Sequence, residues 1–206
     1  MNTKCCHDID ILNYILGSEP KAVASFGGRK IYVENKSLPL HCCDCPAPDK
    51  CIYSFNYKNY GKGSNLSSLQ DLCVYNSEKD INDYECMLIK YENDVICQFE
   101  LCMFNAYSNR EMSIHGSSAT LQMDFVKRTV KVSPLKGESL TYTLEESASG
   151  HGGGDSALVE SFLASCQSGN YINDAKDGYL ASLTAFACEK SINEGRIINL
   201  DTNFAE

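Results

Sequence analysis

The chain has 206 residues, of which 43% are hydrophobic and 22% charged, a profile that fits a folded globular protein and excludes a disordered one. Its formal net charge of −9 argues against a nucleic-acid partner, because phosphates are gripped mainly by Lys and Arg. No run approaches roughly 18 uninterrupted apolar residues, and no basic segment followed by an apolar run opens the sequence. The expectation is therefore a cytoplasmic protein with no membrane span and no signal peptide.

In chain order, the first periodic segment is Cys5 to Leu16, where Ile11, Leu12, Ile15 and Leu16 form a helical stripe and Gly17 supplies a stop. After Pro20, "KAVASFGG" reads as a strand through Phe26. From about Glu34 to Asp83 the pattern dissolves into turn-rich pieces such as "HCCDCPAPDKC". So long an irregular stretch is normally functional, metal-stapled or mobile. Regular structure returns with "YECMLIKY" and "VICQFELCMF", two β runs joined by Glu92-Asn93-Asp94 as a hairpin. In the second run Val95, Cys97, Phe99, Leu101 and Met103 alternate with Gln98 and Glu100, which predicts one buried face.

The pieces "EMSIHG", "ATLQMDF", "TVKVSP" and "LTYTLE" continue as a meander of short strands. A polar loop, "SASGHGGGD", follows, with Asp155 as the expected N-cap of a helix carrying Leu158, Val159, Phe162 and Leu163 on one side. A further helix is predicted from about Asp177 to Asn193, and "RIINL" closes as a strand. Strands grouped together and helices grouped together predict an α+β fold: an open, mainly antiparallel β-sheet with helices on one face and a long Cys-rich excursion. The simplest division is a single domain over residues 1–206, with the irregular insertion at about 34–83.

Three segments can carry chemistry. His7 stands at the start of the first helix with Asp10 on the same face, since residues three apart are neighbours there. Such a His can act as a general acid or base tuned by Asp8 or Asp10, or it can simply cap or pack. The loop His151 to Asp155 is either a ligand-facing turn, with glycines that let backbone approach a ligand, or a flexible cap. It does not read as a dinucleotide fingerprint, because a meander precedes it and no parallel unit follows.

The third segment is Cys42-x2-Cys45-x5-Cys51. Two thiolates three residues apart can grip zinc, and a third soon after gives three of four tetrahedral ligands. Cys6 is taken as the fourth ligand, with Cys5, Cys43 and His41 as alternatives. Structural zinc, reduced thiols without metal, and an iron–sulfur or redox role all stay open. The other cysteines, Cys73, Cys86, Cys97, Cys102, Cys166 and Cys188, sit singly in apolar patterns and are expected in the core.

Taken together, "KCCHDIDILNYILG", "HCCDCPAPDKCIYS", "HGGGDSALVESFL" and "DGYLASLTAFACEKSINEGRIINL" resemble the C-terminal domain of the Gfo/Idh/MocA oxidoreductases over essentially the whole chain. The resemblance implies that His7 matches the active-site histidine, working near the substrate hydroxyl that loses its proton. It implies that His151 and Asp155, with Asp10, lie near a pocket for a small sugar or polyol. It further implies a homo-oligomer assembled through the sheet face. Family members carry NAD(P) on a preceding Rossmann domain with a glycine fingerprint and a Glu-Lys-Pro lysine. Neither is found in this sequence, and Thr3 stands where the family usually has an acidic residue. The expectation is therefore a substrate-binding and oligomerisation half that does not bind NAD(P) and is inactive alone. The alternative is a stand-alone, non-enzymatic oligomeric or ligand-binding module stapled by zinc.

Overall fold

The computed structural model describes residues 5–54, 71–145, 153–170 and 175–203. The first helix, α1, runs Cys5–Leu16 as its periodicity predicts. It stops where Gly17 takes a left-handed φ of 56° and its N–H bonds the Asn13 carbonyl at 2.9 Å. The buried stripe differs from the predicted one. Cys5, Ile9 and Leu12 are buried, whereas Ile15 is 40% exposed. The partner element selects the inward face, and the sequence offers apolar side chains on both sides of Leu12.

The strand β1 (Pro20–Gly28) pairs antiparallel with β2 (Tyr84–Tyr91), and β2 pairs with β3 (Ile96–Cys102). The closing strand β8 (Ile198–Asn199) pairs on the other edge of β1, giving the order β3-β2-β1-β8. The β2–β3 turn places Asp94 at φ 63°, a conformation that a short polar side chain tolerates. Along β2 burial alternates strictly: Glu85, Met87, Ile89 and Tyr91 face in, and Tyr84, Cys86, Leu88 and Lys90 face out. In β3 the predicted inward residues Cys97, Phe99 and Leu101 are only half-buried.

The inner face is covered by α3 (Ala175–Glu194), which packs on β1, β8 and α1. Its contact side is built of small residues, Ala181, Thr184, Ala185, Cys188 and Ser191, all buried. Small side chains let helix and sheet approach closely, and Cys188 Sγ stands 3.4 Å from Met87 Sδ. Several polar groups trapped in this layer are matched, although Ser25 Oγ and Asn13 Nδ2 have no hydrogen-bond partner. The Ser191 hydroxyl accepts the Ser25 N–H at 3.0 Å and donates to the Arg196 carbonyl at 2.7 Å. The Tyr91 hydroxyl donates to Asn13 Oδ1 at 3.0 Å. Of the six cysteines expected in the core, only Cys188 is buried, while Cys86 and Cys166 are exposed.

These elements form one compact unit, Met1–Phe104 with Ala175–Glu206; Asn105–Asp174 form a second. In the second unit β4 (Glu111–His115), β5 (Ala119–Asp124), β6 (Thr129–Pro134) and β7 (Leu140–Thr143) make an antiparallel sheet in sequence order. The meander expected from the sequence is thus a separate sheet. Registers Met112↔Met123↔Val130 and Ile114↔Leu121↔Val132 gather its apolar residues on one face. The same unit holds α2 (Gly154–Ser168), on which Leu158, Val159, Phe162 and Leu163 are exposed. The N-cap of α2 is Gly153 at φ 96°, not Asp155, which falls inside the first turn. Only glycine adopts that backbone cheaply, so the start of the helix moves upstream of the acidic residue.

Asp83 ties the first unit together. Its carboxylate accepts N–H groups from Lys30, Ile31 and Tyr32 at 2.7–3.0 Å. Its own N–H bonds the Gly28 carbonyl, and its carbonyl accepts the Met103 N–H, each at 2.9 Å. Burial raises the pKa of this carboxyl, but the N–H donors outweigh burial and hold it below the ordinary carboxylate value. We predict that Asp83→Ala, which leaves three N–H donors unpaired, lowers unfolding free energy by about 3 kcal/mol in denaturant titrations. The stabilisation from Asp83 is present above pH about 4 and is lost as pH falls through its depressed pKa. In the alanine variant that part of the acid sensitivity disappears.

Candidate functional site

The first turn of α1 carries His7 on the exposed surface and brings Asp10 round to the same side one turn later. The packing of α3 on α1 brings a third group to this place, Asp177 in the first turn of α3. Both Asp177 and His7 act on Asp10. The Asp10 carboxyl is pushed above its ordinary value by partial burial, then by the negative charge of Asp177, and is held back by His7. Two carboxyls beside an imidazole can accept hydrogen bonds from vicinal hydroxyls, and an imidazole can take a proton from one of them. His7 and Asp10 are the residues that the sequence points to, whereas Asp177 is not among them. The available signal was an acidic residue in the first turn of a predicted helix, where the helix dipole favours negative charge.

Beneath the start of α1 lies a second group missed at the sequence level. Glu85 on the inner face of β2 is 2% exposed, and its Oε1 has no hydrogen-bond partner. Asn82 Nδ2 reaches the other oxygen at 3.4 Å. Burial raises the pKa of this carboxyl. The neighbouring Cys5 thiol is pushed up to about 11, chiefly by burial and then by the carboxylates of Asp8 and Glu85. In the alternating strand pattern Glu85 occupies an apolar position, a departure that marks it as unusual.

His151 lies outside the described residues, and Asp155 stands exposed on the first turn of α2, in the second unit. Cys6 is half-buried on α1. The other predicted metal ligands lie in the excursion, whose described parts fold as a small knot. Antiparallel bonds Cys42 N–H to Asp71 O and Cys73 N–H to Leu40 O, both 2.8 Å, flank a His41↔Leu72 bridge. Two short 3-10 turns, Cys42–Asp44 and Pro48–Lys50, follow the bridge. The rings of Tyr32, Tyr53 and Tyr75 stack edge to face, with centroids 5.0 and 6.1 Å apart. Tyr75 is raised by burial first, and then by the nearby Cys51, Tyr53 and Cys73.

Asp71 is the polar centre of the knot, with Oδ2 standing 3.7 Å from His41 Nδ1 and Oδ1 accepting the Cys43 N–H at 3.2 Å. The Cys43 thiol bonds the same carboxylate and is pushed up to about 11, mainly by that bond. All twelve cysteines are free. Among the described residues no group of three or more His, Cys, Asp or Glu side chains is placed to hold a metal ion. Cys42, Cys45, Cys51 and Cys6 therefore do not converge as the spacing suggested, because Cys6 belongs to the helix layer and the other three to the knot. No helix among the described residues is long and apolar enough to cross a membrane.

Residues 2–200 match the family profile described as the oxidoreductase family, C-terminal alpha/beta domain. The chain belongs to the Gfo/Idh/MocA oxidoreductase family. YteT of Bacillus subtilis (strain 168), a protein named as an oxidoreductase, is 23% identical over 193 residues, spanning 76% of this chain and 44% of the relative. Levoglucosan dehydrogenase in complex with NADH and levoglucosan is similar in fold, with TM-score 0.67 at 14% identity over 96% of this chain and 49% of that one. UDP-N-acetylglucosamine 3-dehydrogenase from Acidithiobacillus ferrooxidans aligns with TM-score 0.60 at 14% identity over 92% of this chain and 46% of that one. The aldose-aldose oxidoreductase of Caulobacter crescentus, complexed with glycerol, gives TM-score 0.60 at 13% identity over 95% and 46%. The chain thus spans about half the length of the proteins it matches.

The like-charge coupling yields a directional prediction. Asp177→Asn removes the negative neighbour and lowers the Asp10 pKa, whereas His7→Ala removes the opposing influence and raises it further. Carboxyl-carbon NMR titration of Asp10 reads both shifts. Equal pKa values in the three proteins would mean that the groups do not form one site.

Proposed function

We propose that this chain is the substrate-binding and oligomerisation half of an NAD(P)-dependent oxidoreductase acting on a sugar or polyol. The observation that carries the reading is the meeting of His7, Asp10 and Asp177 where α1 packs on α3, in a domain of this family. In this reading His7 accepts the proton of a substrate hydroxyl. Asp10 and Asp177 accept hydrogen bonds from neighbouring hydroxyls. Sugar-linked names among the structural relatives support the substrate class.

NAD(P) does not fit the described residues of this chain. Every strand pairing among them is antiparallel, and no strand–helix–strand unit with a phosphate-binding turn is present. Cofactor binding is assigned to the part of the fold that the longer relatives possess, and the roles of His7, Asp10 and Asp177 concern the substrate alone. The sheet face turned away from the helices supports assembly. Phe26, Tyr84, Leu88 and Ile96 are 79, 41, 48 and 66% exposed, and the registers Phe26↔Cys86, Leu88↔Gln98 and Lys90↔Ile96 place them on one side. An apolar strip of this kind is what a second copy of the chain covers in an isologous dimer.

Calorimetric titration of the chain with NADH and with a panel of sugars and polyols tests the proposal. Expected are no stoichiometric NADH binding and weak, roughly millimolar sugar binding that is lost in His7→Ala. Tight NADH binding by this chain alone, or a sugar affinity indifferent to His7, would overturn the reading. For assembly, Leu88→Lys puts a charge at an already exposed position and is expected to shift sedimentation from dimer to monomer without loss of helix content. A monomeric parent protein removes the assembly claim.

A further inference from the structure

Glu85 is a buried carboxyl for which the proposed chemistry has no use. It lies on the inner face of β2 at 2% exposure, in a row with Met87, Ile89 and Tyr91. Its Oε1 has no hydrogen-bond partner, and its other oxygen is reached by the Asn82 amide at 3.4 Å. Room for the side chain comes from Gly27, its partner across the β1–β2 pair, where a Cβ would stand 3.1 Å from the Glu85 Cβ and Cγ. The glycine thus makes space for a side chain that the layer leaves short of donors. Helix α1 runs along this row. The Tyr91 hydroxyl bonds Asn13 near the end of the helix, and Glu85 acts on the buried Cys5 at its start. One end of α1 is tied to the sheet, and the other covers an unmatched carboxyl.

The groups around Glu85 do little to favour its charge. Burial acts first and raises its pKa, and Glu189 of α3 acts in the same sense, while the Asn82 amide and the amino-terminal charge oppose them. The Cys5 thiol of α1 is pushed up to about 11 by burial, then by Asp8 and Glu85, and the Cys188 thiol of α3 to about 12, chiefly by burial. From β1 come only the uncharged Ser25 and Gly27. A carboxylate buried without donors is costly, so the side chain stays neutral while the layer stays closed, and its ionisation calls for water. We propose that Glu85 is a proton-operated latch under the first turn of α1: neutral, it lets the turn seat on the sheet, and ionised, it lifts the turn and admits water. Entering water finds a second atom to bond in Ser25 Oγ, which is buried on the same face and also lacks a partner. The step is a proton exchange, in which Glu85 gives its proton to solvent on opening and regains it on closing. The latch governs the turn that carries His7, yet it rests on the packing layer alone and stands or falls independently of the oxidoreductase reading.

Native-state hydrogen exchange of the full chain, followed by NMR from weakly acid to weakly alkaline buffer, tests the latch. The reporter is the Ile9 N–H, which bonds the Cys5 carbonyl within the helix. The open turn ionises at the ordinary glutamate value and the closed turn only at a higher pH. Closure is therefore fully stable below the ordinary value, weakens as pH rises, and loses nothing more once the closed state ionises as well. After correction for the intrinsic exchange rate, the opening equilibrium is expected to rise by up to about tenfold per pH unit across that window, the slope of one linked proton. This dependence is expected to be lost in Glu85→Gln and kept in Asp10→Asn, which removes the other raised carboxyl on α1. Because Glu85→Gln can disturb the packing, carboxyl-carbon NMR of the glutamate-labelled parent protein gives a second readout, in which one glutamate titrates above the ordinary range. An ordinary titration for every glutamate, or pH-independent opening in the parent protein, overturns the latch. So does a slope that survives Glu85→Gln or disappears in Asp10→Asn.

Discussion

One carboxylate holds the first unit in register. Asp83 sits where β1 ends, β2 begins and β3 runs out, and it reaches all three junctions at once. A buried carboxylate without donors would be costly, and three backbone N–H groups from residues 30–32 remove that cost. Those N–H groups belong to the chain leaving β1, so the same bonds determine where the excursion starts. Tyr32, the last donor, carries the influence onward through its ring contact with Tyr53. The sheet and the excursion thus share one anchor, although their residues follow different structural rules.

The layer above the sheet sets the character of the candidate site. Small side chains on α3 let it settle closely against β1 and α1, and that closeness brings the first turn of one helix beside a carboxylate on the other. Negative groups near a helix start are normally stabilised by the helix dipole. Asp10 lies beyond the first turn of α1, and there partial burial and the like charge of Asp177 act against its ionisation while His7 favours it.

Much of the fold is legible in the residues. The alternation in Tyr84–Tyr91, the turn at Glu92-Asn93-Asp94 and the glycine after Leu16 are local signals, and each element appears where its signal lies. What is not legible is relational. Nothing in the short strands after residue 105 says that they pair only with one another, and the inward face of α1 depends on where α3 lies. Of the candidate site, His7 and Asp10 are legible because they share one helix, while Asp177 and Glu85 come from distant segments. Cys73 misleads for a related reason. Its flanking Leu72 and Val74 imitate a core strand, yet the chain there forms a bridge and a turn.

The chain order of the first unit has a consequence for how the protein is made. Residues 1–104 must wait for residues 175–206 before their sheet gains its last strand and its covering helix. During synthesis the second sheet, whose strands follow one another directly, emerges complete while the inner face of β2 is still bare. Met87, Ile89 and Tyr91 are then open to water, and the free edge of β1 is open to other chains. The nascent protein passes through an adhesive interval that ends only when Ala181, Ala185 and Cys188 leave the ribosome.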